Sequence, residues 1–329
     1  MVMCDPSFDY RASSARRNFS TIRTLCTLLS LALAVFVTIP SNASAITIVR
    51  NFLGTGAFPL AGGVGTAAPG NAVGGGNLVA IVDAAADYWE AALLDPHVFL
   101  INFGWQALGG ANLGVATQFV IPQPGLGGDI QFDSDGSNIY FMDPTPYDNS
   151  EFNTLTSSSA DLGGGVINAG RVYSDPNIAA ALNIDMLSIA KHEIGHLLGI
   201  ADFFGFTTPT LTTTAPRPNP GTVIPTTSSG GGHINLVPSL MFGSISPGIR
   251  RMQSEVDILA AAEANGFVNI DLTPNVVPEP GTALLLSLGL VGLAAKRRRS
   301  RSETTKQIPV TSCDWLRLSV YIRPRSERM

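Results

Sequence analysis

His192, Glu193, His196 and Gly199 stand at the spacing H-E-x-x-H-x-x-G, and few short patterns carry so definite a chemistry. On a helix, positions i and i+4 share a face, so both imidazoles point at one metal ion. Glu193 lies one residue along, within reach of a water activated by that ion, where a carboxylate serves as general base. With only four histidines in 329 residues, the pattern arises by chance in roughly one such chain in a thousand. It is therefore read as a metal helix rather than a surface helix. Two imidazoles do not complete a zinc site: a catalytic zinc has three protein ligands and one open position. Two residues compete for the third place. Asp202 stands three beyond Gly199, and His233 follows Gly230-Gly231-Gly232, eight residues before Met241. Spacing favours Asp202 and chemistry favours His233, because neutral imidazole is the commoner zinc ligand; of the two, Asp202 is the slightly preferred reading. Binding by both would fill the position that water needs.

The elements that must hold these residues are legible as periodic segments. Asp185 caps a helix whose Leu187, Ala190, Ile194, Leu197 and Leu198 recur at helical spacing, and Gly199 ends it. Leu78, Ile81, Val82, Ala85, Trp89 and Ala92 mark a long amphipathic helix upstream. Strands are expected over His97–Phe103, Gln118–Ile121, Asp129–Phe132 and Ile139–Phe141, with another within Gly163–Tyr173. Ser254-Glu255-Val256-Asp257 opens a further short helix that Asn265-Gly266 closes. Gly54–Gly76 reads as an irregular, mobile lead-in, and the Thr-, Pro- and Ser-rich stretch Phe206–Gly232 as an exposed loop flanking the cleft. Asp133, Asp135, Asp143 and Asp148 fall at turns. Solvated turn aspartates are the favoured reading, and a structural calcium site the second.

Together the helix motif and Ser239-Leu240-Met241-Phe242 resemble the metzincins, zinc endopeptidases with a methionine turn beneath the metal. The resemblance covers roughly 46–270, with its specific motifs within about 185–266. It implies an α+β, metzincin-like zincin: a mixed twisted sheet, a long N-terminal helix, a zinc-binding helix and a small C-terminal subdomain. It makes Met241 the turn methionine, and the helix that starts at Ser254 the last helix, packed under the site. Most of the family has His as third ligand. The snapalysin type has Asp, as Asp202 would be, and leishmanolysin-like members reach a late His after an insertion, as His233 would be. Some members carry a Tyr after the methionine that assists at the metal; Phe242 stands there and cannot donate a hydrogen bond.

The ends of the chain carry a different kind of information. Residues 1–45 read as an export signal: Arg11, Arg16, Arg17 and Arg23, then an apolar run from Leu25 to Ile39, then Ala43-Ser44-Ala45. Val277-Pro278-Glu279-Pro280, the apolar residues 283–295 and Lys296-Arg297-Arg298-Arg299 resemble the PEP-CTERM envelope-sorting signal. That resemblance implies an exosortase-type enzyme as partner, transient membrane anchoring through 283–295, and a cell-envelope or extracellular destination. The apolar run is short for a full span, and its Arg cluster marks the cytoplasmic side. The expected organisation is a signal peptide (1–45), a metalloprotease domain (46–275, upper part 46–199 and lower part 200–275), a sorting segment (276–301) and an unassigned basic tail (302–329).

Residues 46–277 hold 19 acidic and 6 basic side chains, a net charge of −13 within a chain whose total is −5. That balance argues against nucleic acid as a partner. Cys4, Cys26 and Cys313 all fall outside 46–275, so that domain has neither a disulfide nor a thiol ligand for zinc. The expected function is hydrolysis of protein or peptide substrates by metal-activated water, with Glu193 as base. The alternative is a non-catalytic envelope or matrix protein with a structural metal site.

Overall fold

The computed structural model describes residues 45–118, 127–201, 208–227 and 232–276. The expected export signal (1–45, save Ala45), Asp202, the sorting segment and the basic tail lie outside the described residues, apart from Val276. All described residues belong to the compact unit Met1–Val276.

The chain enters on β1 (Thr47–Phe52), crosses through α1 (Leu78–Ala92) and returns as β2 (Val98–Gln106). Next come β3 (Gly114–Gln118), β4 (Gly128–Asp133) and the short β5 (Tyr140–Phe141). A long hairpin of β6 (Phe152–Asp161) and β7 (Val166–Pro176) leads to α2 (Ile178–Ala181), β8 (Ile184–Asp185) and α3 (Met186–Leu197), the histidine helix. After it lie β9 (Thr210–Thr212), β10 (Val223–Pro225), β11 (Arg250–Met252) and α4 (Glu255–Asn265). The fold is thus a mixed α+β arrangement.

The main sheet has the order β1-β2-β4-β3. β1, β2 and β4 run parallel, and β3 is antiparallel to β4 at the sheet edge. The expected strand at Gln118–Ile121 sits earlier, because Gly114–Gln118 pairs with Phe132–Gly128 of β4; 119–121 lie outside the described residues. α1 forms where its apolar stripe demands: Ile81, Val82, Ala85, Trp89 and Ala92 are fully buried, and Asn77 accepts from the Ala80 N–H to start it. Trp89 Nε1 donates to the Lys191 carbonyl at 2.9 Å, which fixes α1 against α3.

α3 starts at its Asp185 cap. That carboxylate accepts from Ser188 N at 3.0 Å and Ser188 Oγ at 2.6 Å, and it also receives Arg250 Nη2 at 2.8 Å. Arg250 is fully buried and also binds Asp143 Oδ2, so the start of the histidine helix is pinned to β11. Lys191 points into the core, with Nζ 4.9 Å from the Tyr88 ring centroid, and burial pushes its amine well below the usual lysine value. Gly199, at φ 95°, ends the helix.

Two expectations about loops change. The Gly54–Gly76 lead-in is irregular but anchored: Phe58 is buried, and the Leu60 and Ala61 amides donate to the buried Asp129. The described part of Phe206–Gly232 includes a hairpin, β9 with β10, rather than only exposed loop. Ile224 is buried, and Arg217 pairs with Glu263 of α4 at 2.8 Å, so this hairpin rests on the last helix.

Candidate metal centre

Each histidine of α3 is held by a carbonyl. His192 Nδ1 lies 2.9 Å from the Leu240 oxygen, and His196 Nδ1 lies 2.6 Å from the Ile200 oxygen. A carbonyl only accepts, so both Nδ1 atoms carry the proton and both Nε2 atoms present lone pairs. Those two Nε2 atoms face each other at 3.1 Å, an arrangement that a shared cation stabilises. His233 completes the cluster: its ring lies 5.2 Å from that of His192 and 5.0 Å from that of His196. One ligand nitrogen from each of the three falls within 4.8 Å of the others, and among the described residues no other group of three or more metal-ligating side chains converges in this way. His233 therefore meets the two helix histidines. Asp202, to which the spacing leans, lies outside the described residues.

The turn at Met241 supports these rings from below. Its Leu240 carbonyl receives His192, and the Met241 carbonyl receives the Ile234 N–H at 2.9 Å, next to His233. The buried Asp257 carboxylate fixes the turn by accepting from Ser239 Oγ, Leu240 N and Met241 N. It also accepts from Ser254 N and Ser254 Oγ, which makes it part of the capping box of α4. One carboxylate thus joins the last helix, the methionine turn and, through Leu240, the first imidazole. Met241 is fully buried with its sulfur against Gly195, where an added Cβ would overlap it. That contact explains the glycine inside the H-E-I-G-H segment.

Glu193 faces the cleft beside β3. A Cβ on Gly114 would come within 2.8 Å of Glu193 Oε1, so the bare backbone of β3 lets the carboxyl sit against the strand. Burial pushes the Glu193 carboxyl up to about 8. Between the ordinary value of 4.5 and about 8, the folded chain holds a proton that the unfolded chain releases. Stability of chelator-treated protein should therefore fall as pH rises through that window, by on the order of a few kcal/mol. Burial holds His192 well below its usual value, which acts in the opposite direction up to about pH 6.5. The difference in urea midpoint between the unsubstituted chain and Glu193→Gln isolates the carboxylate; a pH-independent difference would contradict its burial.

The cleft has a volume of about 930 Å³. Residues 114–118 of β3 form one wall, and Phe242, Ser244, Ile245 and Arg251 belong to the other. Among the described residues β3 pairs only with β4, so its outer edge borders the cleft. Gln118 donates from Nε2 to the His196 carbonyl and ties the end of β3 to α3. Sequence reading did not single out Gly114 or Arg251, and it saw Gln118 only as the start of a strand and Asp257 only as part of a helix cap. The one available signal was the Arg250-Arg251 doublet, in a domain with only six basic residues. The four turn aspartates form no cation cluster: Asp143 pairs with Arg250, Asp148 accepts from Ser150, and Asp133 accepts the Leu108 and Asp135 amides. Asp135 and Asp148 are exposed, as solvated turn aspartates should be, whereas Asp133 and Asp143 are buried, so the solvated reading holds for two of the four.

The PEP-CTERM protein-sorting motif matches residues 276–299. No curated protein and no solved structure matches the chain. This motif is of the type recognised by an exosortase-type sorting enzyme. It marks the protein for export to the envelope or beyond, with the C-terminal side anchored in the membrane before processing. Among the described residues no helix is long and apolar enough to cross a membrane, and 283–295 lie outside them.

Proposed function

We propose that the protein is an exported, zinc-dependent endopeptidase of metzincin-like fold, spanning 46–275 with an upper part to Gly199 and a lower part beyond it. The observation that carries this reading is the meeting of three imidazoles beside the buried Glu193 carboxyl. The edge strand β3, the turn at Met241 and the late helix α4 support it as the frame around that meeting. An all-imidazole donor set of three suits zinc in an open, catalytic arrangement.

His192, His196 and His233 would hold the ion. Such an ion supplies Lewis acidity, bringing a water's pKa towards neutrality and polarising the scissile carbonyl. The Leu240 and Ile200 carbonyls keep the α3 rings in one tautomer and orientation. Glu193 accepts a proton from the attacking water and returns it to the leaving amine nitrogen. The edge of β3 pairs with the extended peptide backbone and lays the bond to be cut across Glu193. Phe242 offers no hydrogen bond to the developing oxyanion.

Purified protein, assayed for bound metal and then incubated with casein and a peptide library, tests this directly. We expect one zinc per chain, peptide cleavage, loss of cleavage on chelation and recovery on adding zinc back. Bound metal with no cleavage of any peptide would instead assign the cluster a structural role in an envelope or matrix protein.

A further inference from the structure

The far wall of the cleft carries a charge that has no anionic partner among the described residues. Arg251 lines the cleft and its residue is 5% exposed. Its Nη1 donates to the Ser244 carbonyl at 2.6 Å, and its guanidinium carbon lies 5.4 Å from the centre of the Phe242 ring. Its Nε has no hydrogen-bond partner, and among the described residues no carboxylate stands within 4.0 Å of its side chain. Asp257 is close enough to influence it, but the oxygens of that carboxylate are already committed to five donors on the turn and the cap of α4. The adjacent residue makes the contrast. Arg250 points to the opposite face of β11, as strand alternation requires, and is neutralised by Asp143 and Asp185. A desolvated guanidinium left without an anion is costly, so its retention in the wall of a cleft points to an anion that arrives from outside.

We propose that Arg251 makes the cleft selective for peptides carrying an acidic side chain, Glu or Asp, beside the bond to be cut. This rests on the peptidase reading of the site. Guanidinium and carboxylate match in shape and charge, and stacking on Phe242 holds the guanidinium plane in place. In a domain of net charge −13 the rest of the surface repels such a peptide, so recognition falls on this one position.

Binding tests the assignment without relying on turnover. Zinc-loaded Glu193→Gln protein is titrated with labelled peptides that differ only by Glu against Gln, placed in turn at each position around the bond. At one position the Glu peptide should bind roughly 10-fold or more tightly than its amide twin. Adding Arg251→Gln should bring that ratio close to one, and Arg251→Lys should restore part of it. Equal affinities of the two peptides at every position would overturn the proposal with no substitution at 251 needed. So would a preference that survives Arg251→Gln, or a loss on Arg251→Gln that is equal for acidic and amide peptides. The same peptides given to the unsubstituted protein separate the two ideas. Cleavage without acidic preference sinks the role of Arg251 and keeps the peptidase. Acidic preference in binding with no cleavage of any peptide keeps Arg251 as an anion-recognising residue and sinks the peptidase.

Discussion

Glu193→Gln should retain zinc and lose peptide hydrolysis by roughly 10³-fold or more in kcat/KM. The amide has the same shape as the carboxyl, so the contact with the backbone of β3 at Gly114 is preserved. No oxygen of Glu193 belongs to the ligand cluster, which is built from the three histidines. What the variant loses is a group able to take a proton from water and pass it on. Because the wild-type carboxyl is 5% exposed and, among the described residues, no other acid enters the histidine cluster, bulk solvent is a poor substitute. Metal analysis and peptide kinetics on the same sample decide the matter. Undiminished cleavage would remove Glu193 from the mechanism, and loss of zinc would make it a ligand instead.

His233→Ala should empty the site, whereas Asp202→Ala should leave it filled. Even groups that only orient a ligand are worth about 10–100-fold in metal affinity. Removing one of three imidazoles should therefore weaken zinc binding by more than roughly 100-fold. The ring of His233 packs beside Gly243 and both α3 histidines, and its backbone is held at Thr227. A competition titration with a chromophoric chelator reads the result. If Asp202→Ala empties the site and His233→Ala does not, the three-histidine assignment is wrong. If both empty it, four protein ligands close the site and the structural-metal alternative gains ground.

The parts of the fold that local energetics control are legible from local signals. The Asp185 cap, the α3 histidines, the apolar stripe of α1 and the Ser254-to-Gly266 helix each depend on residues within a few positions of one another. The remainder depends on partners distant in the chain. β6 is largely exposed and polar, so it shows no alternation to read, and it exists because β7 pairs with it. β11 has three residues and is set by Tyr173, Val172 and Arg171 across from it. Only that pairing decides that Arg250 enters the core and Arg251 the cleft. The β9–β10 hairpin shows no apolar period because its anchorage is largely polar, through Thr214 and Arg217 to Glu263. The third imidazole was open for the same reason: chain distance does not tell which of two candidates a long return brings back.

Among the described residues β3 pairs only with β4, and in the proposed peptidase its free margin would grip main chain while staying indifferent to what that main chain carries. Such a ladder of amides would zip onto any stretched polypeptide, foreign or from a sister molecule. At high density on a cell surface, identical copies would then vie with prey for a single rail. Choosiness has to reside on the opposite bank, where side chains rather than amides meet the visitor.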